Sequence, residues 1–121
     1  MAKKIVIAGS RTYTRFTEAE EFISICLSEL ADKDFIILSG GAQGADAIGE
    51  RFAEKNGFPI EKYPADWKRY GKAAGPKRNC AMAENCDLVI CFWDQHSKGT
   101  KSMIQMAKKY KKPIKIKIIE P

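Results

Sequence analysis

Hydrophobic positions along the chain follow two periods. Three short runs are apolar throughout: residues 5–8, 35–38 and 88–92, each closed by glycine, serine or a polar loop. Such runs read as strands buried on both faces. Between them apolar residues recur at helical spacing. Phe22, Ile23, Cys26, Leu27 and Leu30 mark a first helix. Its start is predicted at Thr17-Glu18-Ala19-Glu20, a capping box with the hydroxyl at the N-cap and a carboxylate three residues on. A second helix opens near Gly44-Ala45-Asp46, buries Ile48 and Phe52, and stops at Asn56-Gly57, a natural C-terminal cap. Residues 60–63 form a brief third strand, and 64–75 a loop that carries Trp67 and Tyr70. Pro76 suits the first turn of a third helix reaching Asn85, with Arg78 and Asn79 in that turn. After a polar loop over 93–98, Gly99-Thr100 opens a last helix through Met103, Ile104, Met106 and Ala107. Beyond Pro113, Ile114-Lys115-Ile116-Lys117-Ile118 alternates strictly, as an edge or one-sided strand does.

Strand and helix alternate to the end, and continuous apolar strands bridged by helices imply a parallel sheet covered on both faces. The expected fold is α/β: a small, doubly wound, Rossmann-like sandwich with a five-stranded parallel sheet in the order 3-2-1-4-5. At 121 residues the chain has room for one domain, spanning 1–121. Loops after strands 1, 2 and 4 then share the carboxyl edge, where ligands of such sheets bind beside the switch point.

Composition narrows the class. The longest apolar run, residues 88–93, is far short of the ~20 residues of a membrane span. Met1-Ala2-Lys3-Lys4 imitates a basic leader, but the apolar stretch after it ends at Gly9-Ser10-Arg11, so the expected compartment is the cytoplasm. Cysteines 26, 80, 86 and 91 form no Cys-x-x-Cys pair, and His96 is the one histidine. That composition points to free thiols and no metal site. The net charge of +6 is uneven: residues 18–61 hold ten acids and three bases, 62–80 six bases and one acid, and 98–117 eight lysines and no acid. A basic second half suits an anionic partner, either a phosphorylated small molecule or nucleic acid.

Three loops of the carboxyl edge are built for phosphate. Gly9-Ser10-Arg11 offers backbone N–H groups, a hydroxyl and a guanidinium. Ser39-Gly40-Gly41-Ala42-Gln43-Gly44-Ala45-Asp46 runs into a helix start, where glycines permit close approach and unpaired N–H donors face an anion. Ser97-Lys98-Gly99-Thr100 repeats the arrangement after strand 4. There is neither a Walker A motif nor a complete Gly-x-Gly-x-x-Gly, which disfavours an ordinary NTPase or dehydrogenase. Asp46 and Asp94 are candidates for sugar contacts. Lys77, Arg78 and Asn79 are candidates for phosphate, with arginine suited to bidentate contact. Trp67 or Tyr70 is a candidate cover for a base.

These motifs, with Pro64-Ala65-Asp66-Trp67 and Gly75-Pro76-Lys77-Arg78-Asn79, resemble the SLOG superfamily of Rossmann-like domains over nearly the whole chain. In their order they look most like its small YspA/YpsA-related single-domain members. The resemblance implies a nucleotide or nucleotide-derived ligand, ADP-ribose- or NAD-like, held by a sensor or sequestering protein. Two relatives imply alternatives. The Lonely Guy phosphoribohydrolases have an arginine that Arg78 matches, and a Gly-Thr followed closely by a catalytic glutamate. Here Lys101, Ser102 and Met103 follow Gly99-Thr100, so a hydrolase would have to draw on Asp94, Asp46 or Glu50, with Arg78 beside it. DNA-processing protein A shares the Gly-Ser-Arg, Ser-Gly-x-Ala-x-Gly-x-Asp and Pro-x-Arg-Asn blocks, which implies single-stranded DNA as a partner. Superfamily relatives are often dimers, and the apolar face of the last helix is a candidate contact for a homodimer or larger homo-oligomer.

Overall fold

The computed structural model describes residues 2–121. Strands β1 (Lys3–Gly9), β2 (Phe35–Ser39), β3 (Ile60–Lys62), β4 (Leu88–Trp93) and β5 (Ile114–Ile118) form one sheet in the order 3-2-1-4-5. Every neighbouring pair is parallel, with Ile5 beside Ile37 on one side and Ile7 beside Ile90 on the other. The α/β sandwich expected from the hydrophobic pattern is the one observed.

Helices α1 (Phe16–Ser28) and α2 (Ala45–Asn56) cover one face of the sheet. A short α3 (Trp67–Tyr70) leads into α4 (Ala74–Asn85), which covers the other face together with α5 (Lys98–Lys109). Alternation along each apolar run divides the core between the two layers. Ile5, Ile7, Ile37, Ile90 and Phe92 meet Ala19, Ile23, Ile48 and Phe52 of α1 and α2. Val6, Leu38, Val89 and Cys91 meet Met82, Ala83, Met103, Ile104 and Ala107 of α4 and α5. Full burial of each large side chain contributes about 1.5–3 kcal/mol.

Four local expectations need correction. Helix α1 begins at Phe16, so Thr17 lies inside it and caps nothing. Phe16 packs half-buried on the first core with the Arg51 guanidinium 4.0 Å above its ring, and Arg15 takes the N-cap position. Leu30 lies past the helix end, in a turn whose N–H bonds the Leu27 carbonyl. Residues 64–75 are not all loop: Asp66 accepts the Arg69 N–H at 3.1 Å and nucleates α3, and a 3₁₀ turn over Gly71–Ala73 runs directly into α4. Helix α4 therefore starts two residues before Pro76, which puts Arg78 and Asn79 in its second turn.

The apolar face of α5 is not free to join a second copy. Met103, Ile104 and Ala107 are buried in the core against β4 and α4. Cys26, Cys86 and Cys91 are buried and Cys80 is half-buried, all free thiols. Burial pushes all three buried thiols up, Cys91 to about 12. Among the described residues no helix is long and apolar enough to cross a membrane.

Candidate functional site at the carboxyl edge

In the order 3-2-1-4-5, β1 has β2 on one side and β4 on the other, so the connections after these three strands converge where the winding reverses. Ser10 binds the three together. Its N–H donates to the Phe92 carbonyl at 3.0 Å, and its own carbonyl accepts the Ala45 N–H at the start of α2 at 3.1 Å. Its hydroxyl sits 3.0 Å from that of Thr12 and 3.5 Å from Asp94 Oδ2. Gly44 makes the close approach feasible. It has φ +71°, and a Cβ there would lie 2.4 Å from the Ser10 and Arg11 carbonyl oxygens.

The second loop is held from behind. Fully buried Ser39 donates its hydroxyl to Glu50 Oε2 at 2.7 Å and accepts the Gly41 N–H at 3.1 Å. The other Glu50 oxygen lies 3.6 Å from Lys62 Nζ. Asp46 accepts the Ala42 N–H at 3.2 Å. Arg78 reaches across from α4 and donates from Nη1 to the Gly40 carbonyl at 2.6 Å and from Nε to Asn79 Oδ1 at 3.0 Å. A side chain at position 40 would push aside the Arg78 guanidinium and the Asp46 carboxylate. Asn79 donates in turn to the Gly99 carbonyl and to the Ser102 hydroxyl, each at 3.3 Å, which ties α4 to α5.

The third loop is an Asx turn. Asp94 Oδ1 accepts the N–H groups of His96 and Ser97 at 2.9 and 2.7 Å, and these bonds hold its carboxyl below the usual carboxylate range. Buried Thr100 donates to the Ser97 hydroxyl at 3.1 Å.

These loops enclose a cleft with two lobes. The first, about 510 Å³, is lined by Gly9, Ser10, Asp46, Asp94, Asn79, Ser97, Gly99 and Thr100 above an apolar floor of Ala8, Met82 and Met103. The second, about 540 Å³, is lined by Gly40, Gly41, Gln43, Lys62, Pro64 and Ala65. Arg11, Ala42, Trp67 and Arg78 belong to both walls. Asp46 is only 6% exposed. Desolvation raises its carboxyl above the ordinary value, although the Ala42 N–H, Arg78 and Arg11 pull it down. Burial likewise lowers Arg78; Asp46 opposes that shift and Arg11 adds to it.

Of the residues singled out from the sequence, Ser39 and Gly44 stand behind the wall as supports. Tyr70 and Lys77 lie outside both lobes, with the Lys77 ammonium 4.7 Å over the Tyr70 ring. Glu50 is turned to Ser39 and Lys62 and lines neither lobe. Met82, Met103, Thr12, Ser102, Gln43 and Lys62 also line the cleft, though none is a candidate from the sequence. Thr12 lies one residue beyond Arg11, Gln43 stands within the Ser39–Asp46 loop and Lys62 within the basic stretch 62–80, whereas the methionines read simply as core.

Fold and cleft together define a Rossmann-like domain with a cleft at the carboxyl edge of a doubly wound sheet. The chain belongs to the YspA, cpYpsA-related SLOG family, whose model matches residues 3–70. It is similar to the Gene 61 protein of Mycobacterium phage D29, 30% identical over 118 residues that cover 93% of this chain and 94% of that one. Among solved structures it is similar to DNA processing protein A (DprA) of Streptococcus pneumoniae, with TM-score 0.72, 22% identity, and 96% of this chain on 50% of that one. It also resembles TM1055, with TM-score 0.65, 19% identity, and 94% of this chain on 72% of that one. DprA of Helicobacter pylori, whose structure is described for its single-stranded DNA binding mode, gives TM-score 0.63 and 22% identity over 94% of this chain. The chain spans about half the length of the first DprA and 64% of the second.

Proposed function

We propose that this protein binds a nucleotide or nucleotide-derived phosphate ligand of the ADP-ribose or NAD type at the carboxyl edge, as a sensor or sequestering protein. One observation carries the reading: the buried Asp46 carboxylate lines a cleft walled by two guanidiniums, Arg11 and Arg78. A buried carboxylate accepts sugar hydroxyls, and two guanidiniums exceed its charge and favour phosphate. Two of the five Arg78 donors are used within the protein, which leaves three for an anion. Backbone N–H groups of the Gly99-Thr100 turn at the start of α5 add to this, and the Trp67 indole, 53% exposed, is available to cover a base.

The test is a thermal-shift panel of AMP, ADP, NAD and ADP-ribose. Binding to the folded state raises the melting temperature by mass action, by about 2.7 kcal/mol of stability at a hundredfold excess over Kd. Arg78→Ala abolishes the rise. A folded protein that none of the four shifts overturns the reading.

A second reading is single-stranded nucleic acid, favoured by Lys68, Arg69, Lys72 and Lys77, all exposed on the segment beside the cleft with Asp66 the one acid among them. It requires an affinity that falls linearly in log–log form with salt. Cleavage of an N-glycosidic bond in the first lobe would fall to Asp94 or Asp46, since Glu50 faces away. Release of free base that is lost in Asp94→Asn or Asp46→Asn is the result that would establish it.

A further inference from the structure

We infer that the outer edge of β5 is a docking site for an extended protein segment in which acidic and apolar residues alternate, taken up as a further strand of the sheet.

The backbone opens this edge. At the opposite end of the sheet β3 is only three residues long, which blunts it, whereas β5 runs over five. The Val89 N–H donates to the Pro113 carbonyl at 3.0 Å, and the Ile119 N–H to the Trp93 carbonyl at 2.9 Å. Alternate residues of a strand face the same neighbour, so 113, 115, 117 and 119 turn their backbone groups to β4. Those of Ile114, Ile116 and Ile118 point away from the sheet, a row of donors and acceptors to which a strand can add.

Side chains on the two faces decide what pairs there. On one face Lys115 Nζ lies 3.6 Å from a Glu29 oxygen of α1, and Lys117 Nζ lies 5.7 Å from the centre of the Phe22 ring. The Glu29 pair is exposed and leaves Lys115 open to a second carboxylate. On the other face Ile114 packs half-buried on the second core, while Ile116 and Ile118 are 38% and 53% exposed. Helix α5 stands above this face with Ser102 and Tyr110 turned to α4, where they bond Asn79 and Glu84. Lys101 and Lys108, one heptad apart and exposed, therefore share its opposite flank, on the β5 side. The isoleucine ledge has lysines on both borders.

Charge selects the occupant. A second copy pairing antiparallel about Ile116 sets Lys115 of each chain opposite Lys117 of the other, and like charges directly opposite destabilise a sheet. A strand with carboxylates on the lysine face neutralises both, and its alternate apolar residues cover Ile116 and Ile118.

Backbone amide exchange followed by NMR tests this on the full chain, with a capped peptide of alternating glutamate and valine as the probe. In excess peptide the Ile114, Ile116 and Ile118 amides are expected to exchange at least about tenfold more slowly, with those of Lys115, Lys117 and Ile119 unchanged. A peptide of alternating lysine and valine gives the wild type no protection. Lys115→Glu combined with Lys117→Glu reverses the preference between the two peptides, which a misfolded variant cannot do. No protection of the wild type by the glutamate peptide, equal protection by both peptides, or a folded double variant that keeps the glutamate preference overturns the docking site. Protection that grows with protein concentration in the absence of peptide overturns the acidic partner in favour of a second copy. Protection of the same amides by oligothymidylate overturns it in favour of a nucleic-acid strand.

Discussion

Asp46 is held in a place that costs the fold. One of its oxygens accepts the Ala42 N–H; among the described residues the other accepts no protein hydrogen bond. Its carboxyl is raised above the unfolded value, mainly by burial, so the native state binds this proton more tightly than the unfolded chain does. Above the folded pKa the ionised group reduces stability, and the cost disappears as pH falls to the unfolded value near 4. Asp46→Asn keeps the acceptor for Ala42 and removes the charge. The variant should melt higher than the wild type at pH 7, the gap should close toward pH 4, and ADP-ribose affinity should fall at both. Paired thermal melts across that range check it, because other titrations cancel in the difference. Glu50 has a different part, tying Ser39, Gly41 and Lys62 together from behind. Glu50→Gln retains an acceptor for Ser39 and should preserve the Gly40-Gly41 loop. Glu50→Ala leaves a buried hydroxyl without its acceptor and should lower stability by about 1–3 kcal/mol in denaturant melts. The sequence alone could nominate Glu50 only as a nearby carboxylate, because the direction of its side chain is decided by where β2 and β3 end.

At the scale of elements, what was legible is what local pattern controls. Apolar runs too short for helices identified the strands, and glycine-serine interruptions located the loops at their carboxyl ends. The Ser-Gly-Gly and Gly-Ser-Arg blocks of the cleft were readable because their chemistry is carried by backbone and charge. Helix α3 was not readable from periodicity, since it buries none of its residues; it exists because Asp66 caps it and Trp67 lies over Gly75. The methionine floor was invisible for the opposite reason: Met82 and Met103 obey the core pattern, each only 1% exposed beneath the first lobe. The contact between the first two loops is the most constrained of these junctions. Gly44→Ala adds a Cβ against two carbonyl oxygens at a φ that L side chains rarely adopt. The cost is expected to exceed about 1–3 kcal/mol, read as a shift of the denaturant midpoint, with loss of ADP-ribose binding as Ser10 and Arg11 move.

Across the whole molecule charge is divided between the two layers. Acidic residues dominate 18–61, the stretch that includes α1 and α2, and basic residues dominate the stretches that form α3 to α5 and the rim of the cleft. An approaching anion is therefore drawn toward the edge where β1, β2 and β4 end and repelled from the layer behind it, with a rate that falls as salt rises. The cores follow the same division. Ile23 of α1 packs wholly within the first core, whereas Met103 of α5 belongs to the second core and to the floor of the cleft. Truncating either side chain creates a cavity of similar size, and Ile23→Ala and Met103→Ala should each cost about 2–5 kcal/mol in equilibrium unfolding. Against a typical total of about 5–15 kcal/mol, each remains measurable as a cooperative transition. Ligand response separates them. Ile23→Ala should show the full ADP-ribose-induced rise in melting temperature from its lower starting point, and Met103→Ala should show a reduced one. An equal rise in the two variants would place the base away from the methionine floor and assign both layers the same purely structural part.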